Sequence, residues 1–225
     1  MKETNTSSEN RFTRKKNKTR AALMAIAVEL LDKKGFDAVT ADDIAEGADV
    51  GRRTFYNYFE GKGECITAAV NARFEGYAQF HADRITTLFT APDTAVSDTD
   101  TLHADSADIV ASMASAMFQS IANDPITEKL TAHPHILNNA ITESQRDFLT
   151  ANIANGVMTG RFKPMTSPQI AEPITSWGFI GLIIASIGRQ SQAEDATEWA
   201  RFILTMIGLS HQEIDAISFF KGSKK

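Results

Sequence analysis

Residues 40–62, TADDIAEGADVGRRTFYNYFEGK, constrain the fold more than any other stretch of the chain. They read as two short helices joined by a tight turn, a unit that cannot bury its own apolar faces and needs a further helix beside it. Thr40 stands three residues before Asp43, so its hydroxyl can cap helix amides while the carboxylate lies at the positive helix end. Ile44, Ala45 and Ala48 follow at helical spacing, and their small side chains let a second helix cross closely. Asp49 falls where the chain must reverse, and Asp tolerates a left-handed backbone better than most residues that carry a side chain. Val50 returns to the core, and Gly51 is a weak but acceptable N-cap for the next helix.

That next helix has two faces. Phe55 and Phe59 lie four apart and point together toward the core. Arg52, Arg53, Thr54, Tyr56, Asn57 and Tyr58 occupy the remaining surface. Arg forms paired hydrogen bonds to guanine and Asn does so to adenine, while Tyr and Thr hydroxyls suit phosphate oxygens and set register. Lys62 adds a cation just past the helix. The pattern points to a helix lying in the DNA major groove. An aromatic core stripe with a solvated arginine pair would give the same residues in isolation. The capped helix before it, and a fitting helix before that, favour DNA.

The segment VGRRTFYNYFEGK resembles the recognition-helix signature of the TetR (tetracycline repressor) family of bacterial transcription regulators, and TRAALMAIAVELLDKKGFDAVTADDIAEGA resembles that family's first two helices. The resemblance runs over roughly residues 19 to 70. It implies phosphate contact at Thr40, base-facing roles for Arg52, Arg53 and Asn57, and mostly backbone contacts for Thr54, Tyr56, Tyr58 and Lys62. Three positions depart from the family pattern. Gly47 replaces an alanine, at a helix cost somewhat under ~1 kcal/mol; Asp49 stands where glycine is common; Gly51 stands where serine is common.

Net charge is −5, an odd balance for a nucleic-acid binder until it is divided. Residues 1–63 hold twelve Lys or Arg against ten Asp or Glu, and the rest of the chain holds eleven against eighteen. The first twenty residues alone hold seven basic and two acidic side chains. Positive potential is thus concentrated at the expected DNA-binding end. The single cysteine, Cys65, cannot form an internal disulfide, the N-terminus lacks a secretory apolar core, and the longest apolar run, residues 177–187, is too short to span a bilayer. A cytoplasmic location is expected.

The sequence organises into three parts. Residues 1–18 form a polar basic segment expected to be disordered, either a minor-groove arm or a solvated tail. Residues 19–63 form the helix-turn-helix domain, with Leu23, Ala27, Leu30 and Leu31 as the buried side of its first helix and Gly35 as a left-handed cap, with Phe36 folding back beyond it. Residues 64–225 form a larger helical domain for ligand binding and dimerisation. A long linking helix is expected from about residue 62 to 88, then an acidic loop after Pro92, then helices at 106–122, 125–132, 135–156, 167–189, 194–209 and 211–219. No alternating strand pattern is present, and the chain reads as all-α.

Gly178, Gly181, Ala185 and Gly188 recur at offsets of three and four, a small-residue stripe that admits close helix packing. The resemblance places this helix and the next, with Trp199, Phe202, Ile203, Met206 and Ile207, in a dimer interface; internal core is the alternative. It also implies an effector pocket, for which Phe74, Tyr77, Phe89, Met113, Met117, Phe118, Phe148 and Trp177 are candidates, although each taken singly reads more readily as plain core. Their chemistry favours an apolar or aromatic effector over a phosphorylated sugar. His133 and His135 flank Pro134, but no nearby Cys supports a metal site, and Cys65 reads as a buried small side chain rather than an oxidant sensor. No catalytic constellation is visible, and no cofactor is expected. The expectation is a homodimeric repressor released from a palindromic operator by a small molecule. An activator, or a helical small-molecule binding protein, is the alternative.

Overall fold

The computed structural model describes residues 4–90, 105–144, 146–189 and 192–222, with side chains described over 13–87, 105–141, 151–189 and 192–221. Among these residues all regular structure is helical, as the sequence pattern demands: α1 (Thr4–Ala38), α2 (Ala41–Gly47), α3 (Arg52–Tyr56), α4 (Lys62–Thr90), α5 (Ser106–Ala122), α6 (Pro125–Lys129), α7 (Pro134–Ser144), α8 (Arg146–Met158), α9 (Pro168–Ser186), α10 (Gln192–Met206), α11 (His211–Ala216) and α12 (Ser218–Gly222). None of them is long and apolar enough to cross a membrane.

The head is built from α1, α2, α3 and the start of α4. Leu23, Ala27 and Leu31 of α1 close over Ile44 and Ala45 of α2, Phe55 of α3, Phe59 beyond it, and Cys65, Ile66 and Val70 of α4. The departure at Gly47 has a packing reason: a Cβ there would lie 2.6 Å from Ile26 Cγ2, so glycine lets α2 approach α1. Gly35 interrupts α1 at φ 74°, ψ 166°. That is an extended backbone available essentially to glycine, not the left-handed helical cap expected. The α1 backbone reaches back to Thr4, into the segment expected to be disordered; residues 4–18 contain no Gly or Pro to stop a helix.

The larger domain is centred on α5, which packs against α4 on one side and α10 on the other and buries Val110, Met113, Met117, Phe118 and Ile121. Two boundary expectations need correction. The helix expected at 135–156 is described as two helices, α7 and α8, with Gln145 between them outside the described residues. The helix expected at 211–219 is likewise divided at Ile217, which adopts φ −65°, ψ 137°. Pro173 lies inside α9 and does not end it.

The head is fixed to the larger domain by polar contacts along α4. Asp124, almost fully buried at the N-cap of α6, accepts from Arg73 Nε, from Tyr77 Oη at 2.7 Å and from Ile126 N at 3.0 Å. Asn71 Nδ2 donates to Ala140 O of α7 at 2.9 Å. At the junction Phe36 lies against His133, with ring centroids 4.2 Å apart.

Candidate nucleic-acid interface and internal cavity

The turn between α2 and α3 is held as a sequence of this kind requires. Thr40 accepts from Asp43 N at 3.1 Å, and Asp43 returns the bond by accepting from Thr40 N at 2.8 Å, a reciprocal capping box. Lys34 donates to the same carboxylate at 2.8 Å, and this bond with those from Thr40 lowers the Asp43 pKa from 3.8 to about 2. Asp49 adopts φ 54°, the one described residue other than glycine with positive φ. Val50 N then reaches Ala45 O at 3.0 Å and the chain reverses into α3. Gly51 offers an extended N-cap without a side-chain bond.

Phe55 and Phe59 anchor α3 from below, both buried, with centroids 5.9 Å apart. Above them Arg52, Arg53, Tyr56 and Asn57 are exposed, and Thr54 and Tyr58 are half-buried. Arg52 lies 3.2 Å from Asp42 and 5.7 Å from the centre of the Tyr56 ring. An exposed pair of this kind contributes little to stability, but it holds the guanidinium over the outer face of α3. Arg52, Arg53, Tyr56 and Asn57 are thus exposed on a short helix whose Phe55, with Phe59 beyond it, is buried.

Two expected contacts are engaged within the protein. Lys62 Nζ donates to the backbone oxygens of Phe36, Asp37 and Val39 at 2.9, 3.1 and 2.8 Å, and lies 4.8 Å from the Phe36 ring centre. An ammonium has three donors; all are used to fasten the α1–α2 connection to the start of α4. Lys62 is thus a clamp inside the head, not a side chain reaching outward. The Thr40 hydroxyl donates to Asp43 Oδ2 at 2.6 Å, so its proton serves the cap first. Cys65 is fully buried, and burial pushes its thiol up to about 12, which makes it an inert packing residue.

A second feature lies in the larger domain. A cavity of about 770 Å³ opens between α5, α8, α9 and α10. Among the residues whose side chains are described, Met117 is the one expected pocket residue on its wall. Phe74, Met113 and Phe118 are packed core, Tyr77 is bound to Asp124, and Trp177 is exposed on the far side of α9. Phe89 and Phe148 lie outside the residues whose side chains are described. The walls instead carry Phe179, Trp199, Ile203 and Met206, together with Ala114 and Ala154. The cavity comes from small residues on three helices, Ala114 on α5, Ala154 on α8 and Ala171 on α9. Helical periodicity marks such positions as core and is silent about whether the space beside them is filled.

The connection from α8 to α9 frames the cavity. Arg161 binds Asp105 with two nitrogens, at 3.0 and 2.7 Å. Lys163 N and Met165 N donate to Ile207 O and Met206 O at 2.9 and 3.0 Å, so this loop runs along the end of α10. Gly208 makes the approach possible: it has φ 95°, and a Cβ there would lie 2.0 Å from Lys163 O. None of these residues carried a sequence signal beyond the isolated glycine after a helix.

The two sides of α9 differ. Ala171, Thr175 and Phe179 face the cavity, while Gly178, Gly181, Ala185 and Gly188 are exposed, as are Ile170, Ile174 and Trp177. Phe202 of α10 is also exposed. Of the expected interface residues, Trp199 and Ile203 are buried and line the cavity with Met206; within one chain they face inward, because the α10 stripe turns toward α5.

Residues 23–69 match the family model for bacterial regulatory proteins of the tetR family. The uncharacterised HTH-type transcriptional regulator YdeS of Bacillus subtilis (strain 168) is 46% identical over 48 residues, which are 21% of this chain and 24% of that protein. The HTH-type transcriptional regulator EthR of Mycolicibacterium smegmatis is 39% identical over 51 residues, 23% of this chain and 24% of that protein. The chain thus spans about a quarter of the length of the curated relatives it matches. The likeness in fold is longer. A crystal structure of RolR in complex with resorcinol superimposes with a TM-score of 0.70 at 22% identity, covering 91% of this chain and 94% of that one. Thermus thermophilus FadR in complex with lauroyl-CoA does so with 0.58 at 16% identity, covering 85% and 96%.

Proposed function

We propose that this chain, a member of the tetR family of bacterial regulatory proteins, is a homodimeric, sequence-specific DNA-binding transcriptional regulator. It acts most simply as a repressor that a small apolar or aromatic molecule releases from a palindromic operator. The observation that carries this reading is the outer face of α3, where Arg52, Arg53, Tyr56 and Asn57 are exposed above the buried Phe55 and Phe59. Arg52, Arg53 and Asn57 are the base readers in this reading, and Thr54, Tyr56 and Tyr58 hold the sugar-phosphate backbone. Lys62 contributes by fastening the head. Thr40 contributes through the α2 cap, its hydroxyl turning to a phosphate only by leaving Asp43.

A single five-residue reading helix covers few base pairs, and two placed about 34–36 Å apart cover a two-fold site. The exposed small residues Gly178, Gly181 and Ala185 of α9, with the exposed Phe202 of α10, support pairing of two chains. The cavity behind α9 supports an effector. Selection of bound sequences from random duplex DNA, then footprinting of the winner, tests the reading. The expected result is an inverted repeat whose affinity falls steeply with salt. A protein that enriches no sequence, or protects a site lacking two-fold symmetry, overturns it. A reporter with and without the gene separates repression from activation. The cavity also favours a second reading, a helical small-molecule binding protein whose head has no DNA role. Specific ligand binding with no selected DNA would establish that one.

A further inference from the structure

We infer that the cavity takes an uncharged lipophile carrying an aromatic ring, and discriminates against anions of the same shape. The inference rests on the effector reading above and narrows it to one ligand class and one set of walls. The volume, about 770 Å³, suits a molecule of drug-like size. Phe179 and Trp199 form one wall, with ring centroids 5.1 Å apart and planes inclined at 42°; an offset or edge-on aromatic partner fits such a surface. Met117, Ile203 and Met206 supply adaptable apolar contacts around it.

The polar groups of the lining are few, and their partners decide the ligand's charge. The Thr175 hydroxyl donates within its own helix, to Ala171 O at 2.9 Å and Glu172 O at 3.1 Å. Thr166 and Ser176 add neutral hydroxyls. Glu172 is the one ionisable side chain among the described lining residues, and it is acidic. A ligand anion would exchange water for the aromatic and aliphatic side chains that make up most of the described walls, a desolvation cost for the charged form. A neutral molecule meets no such cost. It gains from filling a space that Ala114, Ala154 and Ala171 keep open.

Two matched dyes test this on the full chain. N-phenyl-1-naphthylamine is neutral, and 8-anilino-1-naphthalenesulfonate has the same ring skeleton with a sulfonate added. The neutral dye is expected to bind at least about tenfold more tightly, the direction set by the burial cost of a charge. It should also quench Trp199 in a Trp177→Phe background and raise the thermal midpoint. Ala154→Trp, which fills the cavity from α8, should weaken neutral-dye binding by a similar factor. Ala171→Leu, which fills it from α9, is the second variant should the first fail to fold. Equal or tighter binding of the sulfonate overturns the inference, as does neutral-dye affinity unchanged in both variants. Operator binding followed in the same titrations keeps the two readings apart. A neutral dye that fills the cavity without loosening the operator supports the ligand class and removes release by effector; equal binding of the two dyes, with the operator loosened by either, does the reverse.

Discussion

The head and the larger domain are both packed helices, yet they hold function in opposite ways. In the head the working groups of the proposed reading are those left outside: Arg52, Arg53, Tyr56 and Asn57 stand in solvent while Phe55 and Phe59 are buried beneath them. In the larger domain the working feature is a space left inside, bounded by Ala114, Ala154 and Ala171. Exposed side chains at helical offsets can be read from a sequence, and an unfilled volume cannot. The difference also separates what each part tolerates. The outer face of α3 can change without loss of fold, whereas any large residue at a cavity alanine alters both the ligand site and the packing around it.

The largest expected effect tests whether the two parts are separable. In the double variant Arg52→Ala, Tyr56→Ala, operator affinity should fall by about 1–3 kcal/mol for the lost Arg52 base contact, and further for the lost Tyr56 hold on the backbone. Dye binding in the cavity and the thermal midpoint should stay unchanged. Electrophoretic mobility shift and dye titration on one preparation measure both. Parallel loss of dye binding would show that the head and the cavity form one unit.

The next variant strikes the link. Asp124 is buried and takes bonds from Arg73 and Tyr77 of α4 while capping α6. Asp124→Ala leaves Arg73 without its carboxylate and frees the start of α6. Removing one partner of a buried pair costs about 3–5 kcal/mol, and the half-exposed Arg73 places this one near the lower end. Chemical unfolding should show the loss, and operator affinity should weaken as well because α4 carries the head. A variant of normal stability would mean that apolar packing alone joins α4 to α5 and α6.

The two parts were also unequally legible. Thr40, Asp43, Asp49 and the pair Phe55 and Phe59 did what their spacing demanded, because caps, turns and stripes are local. The clamp made by Lys62 was not legible because its partners, the carbonyls of Phe36, Asp37 and Val39, are more than twenty residues away. In the larger domain nearly all the helices were visible from periodicity and proline. Phe74, Met113 and Phe118 looked like pocket walls because aromatic and Met residues are equally common in filled cores. Trp199 and Ile203 looked like interface residues because an apolar stripe does not say which neighbour it meets.

A smaller effect is confined to the larger domain. Gly208→Ala would place a Cβ against Lys163 O at a backbone φ of 95°. The substitution should cost about 1–3 kcal/mol through strain at that φ. It should also unhook the loop whose amides bond to Met206 and Ile207. Dye affinity should fall and the operator affinity of the dye-free protein should not, the converse of the head variant. Titration of both ligands checks it, and weakened DNA binding alone would place this loop in the path between the two sites.

The smallest effect sharpens the comparison from the head's side, through the α2 cap. Asp43 has its pKa lowered from 3.8 to about 2 by the Lys34 bond first and the Thr40 bonds next. A carboxylate whose folded pKa lies below its unfolded value stabilises the fold fully above the unfolded pKa, and the contribution fades as pH falls through the folded one. Asp43→Asn keeps a side chain able to cap while removing the ionisation. The urea midpoint of the wild type should therefore exceed that of the variant at pH 5. The gap should begin to close as pH falls toward about 3.8 and go on closing as it falls through about 2. The group is half-exposed and reached by solvent, so the gap is small and salt should narrow it. A gap independent of pH between 5 and 2.5 would mean that the amide caps α2 differently and that charge at Asp43 is not what holds the start of the motif.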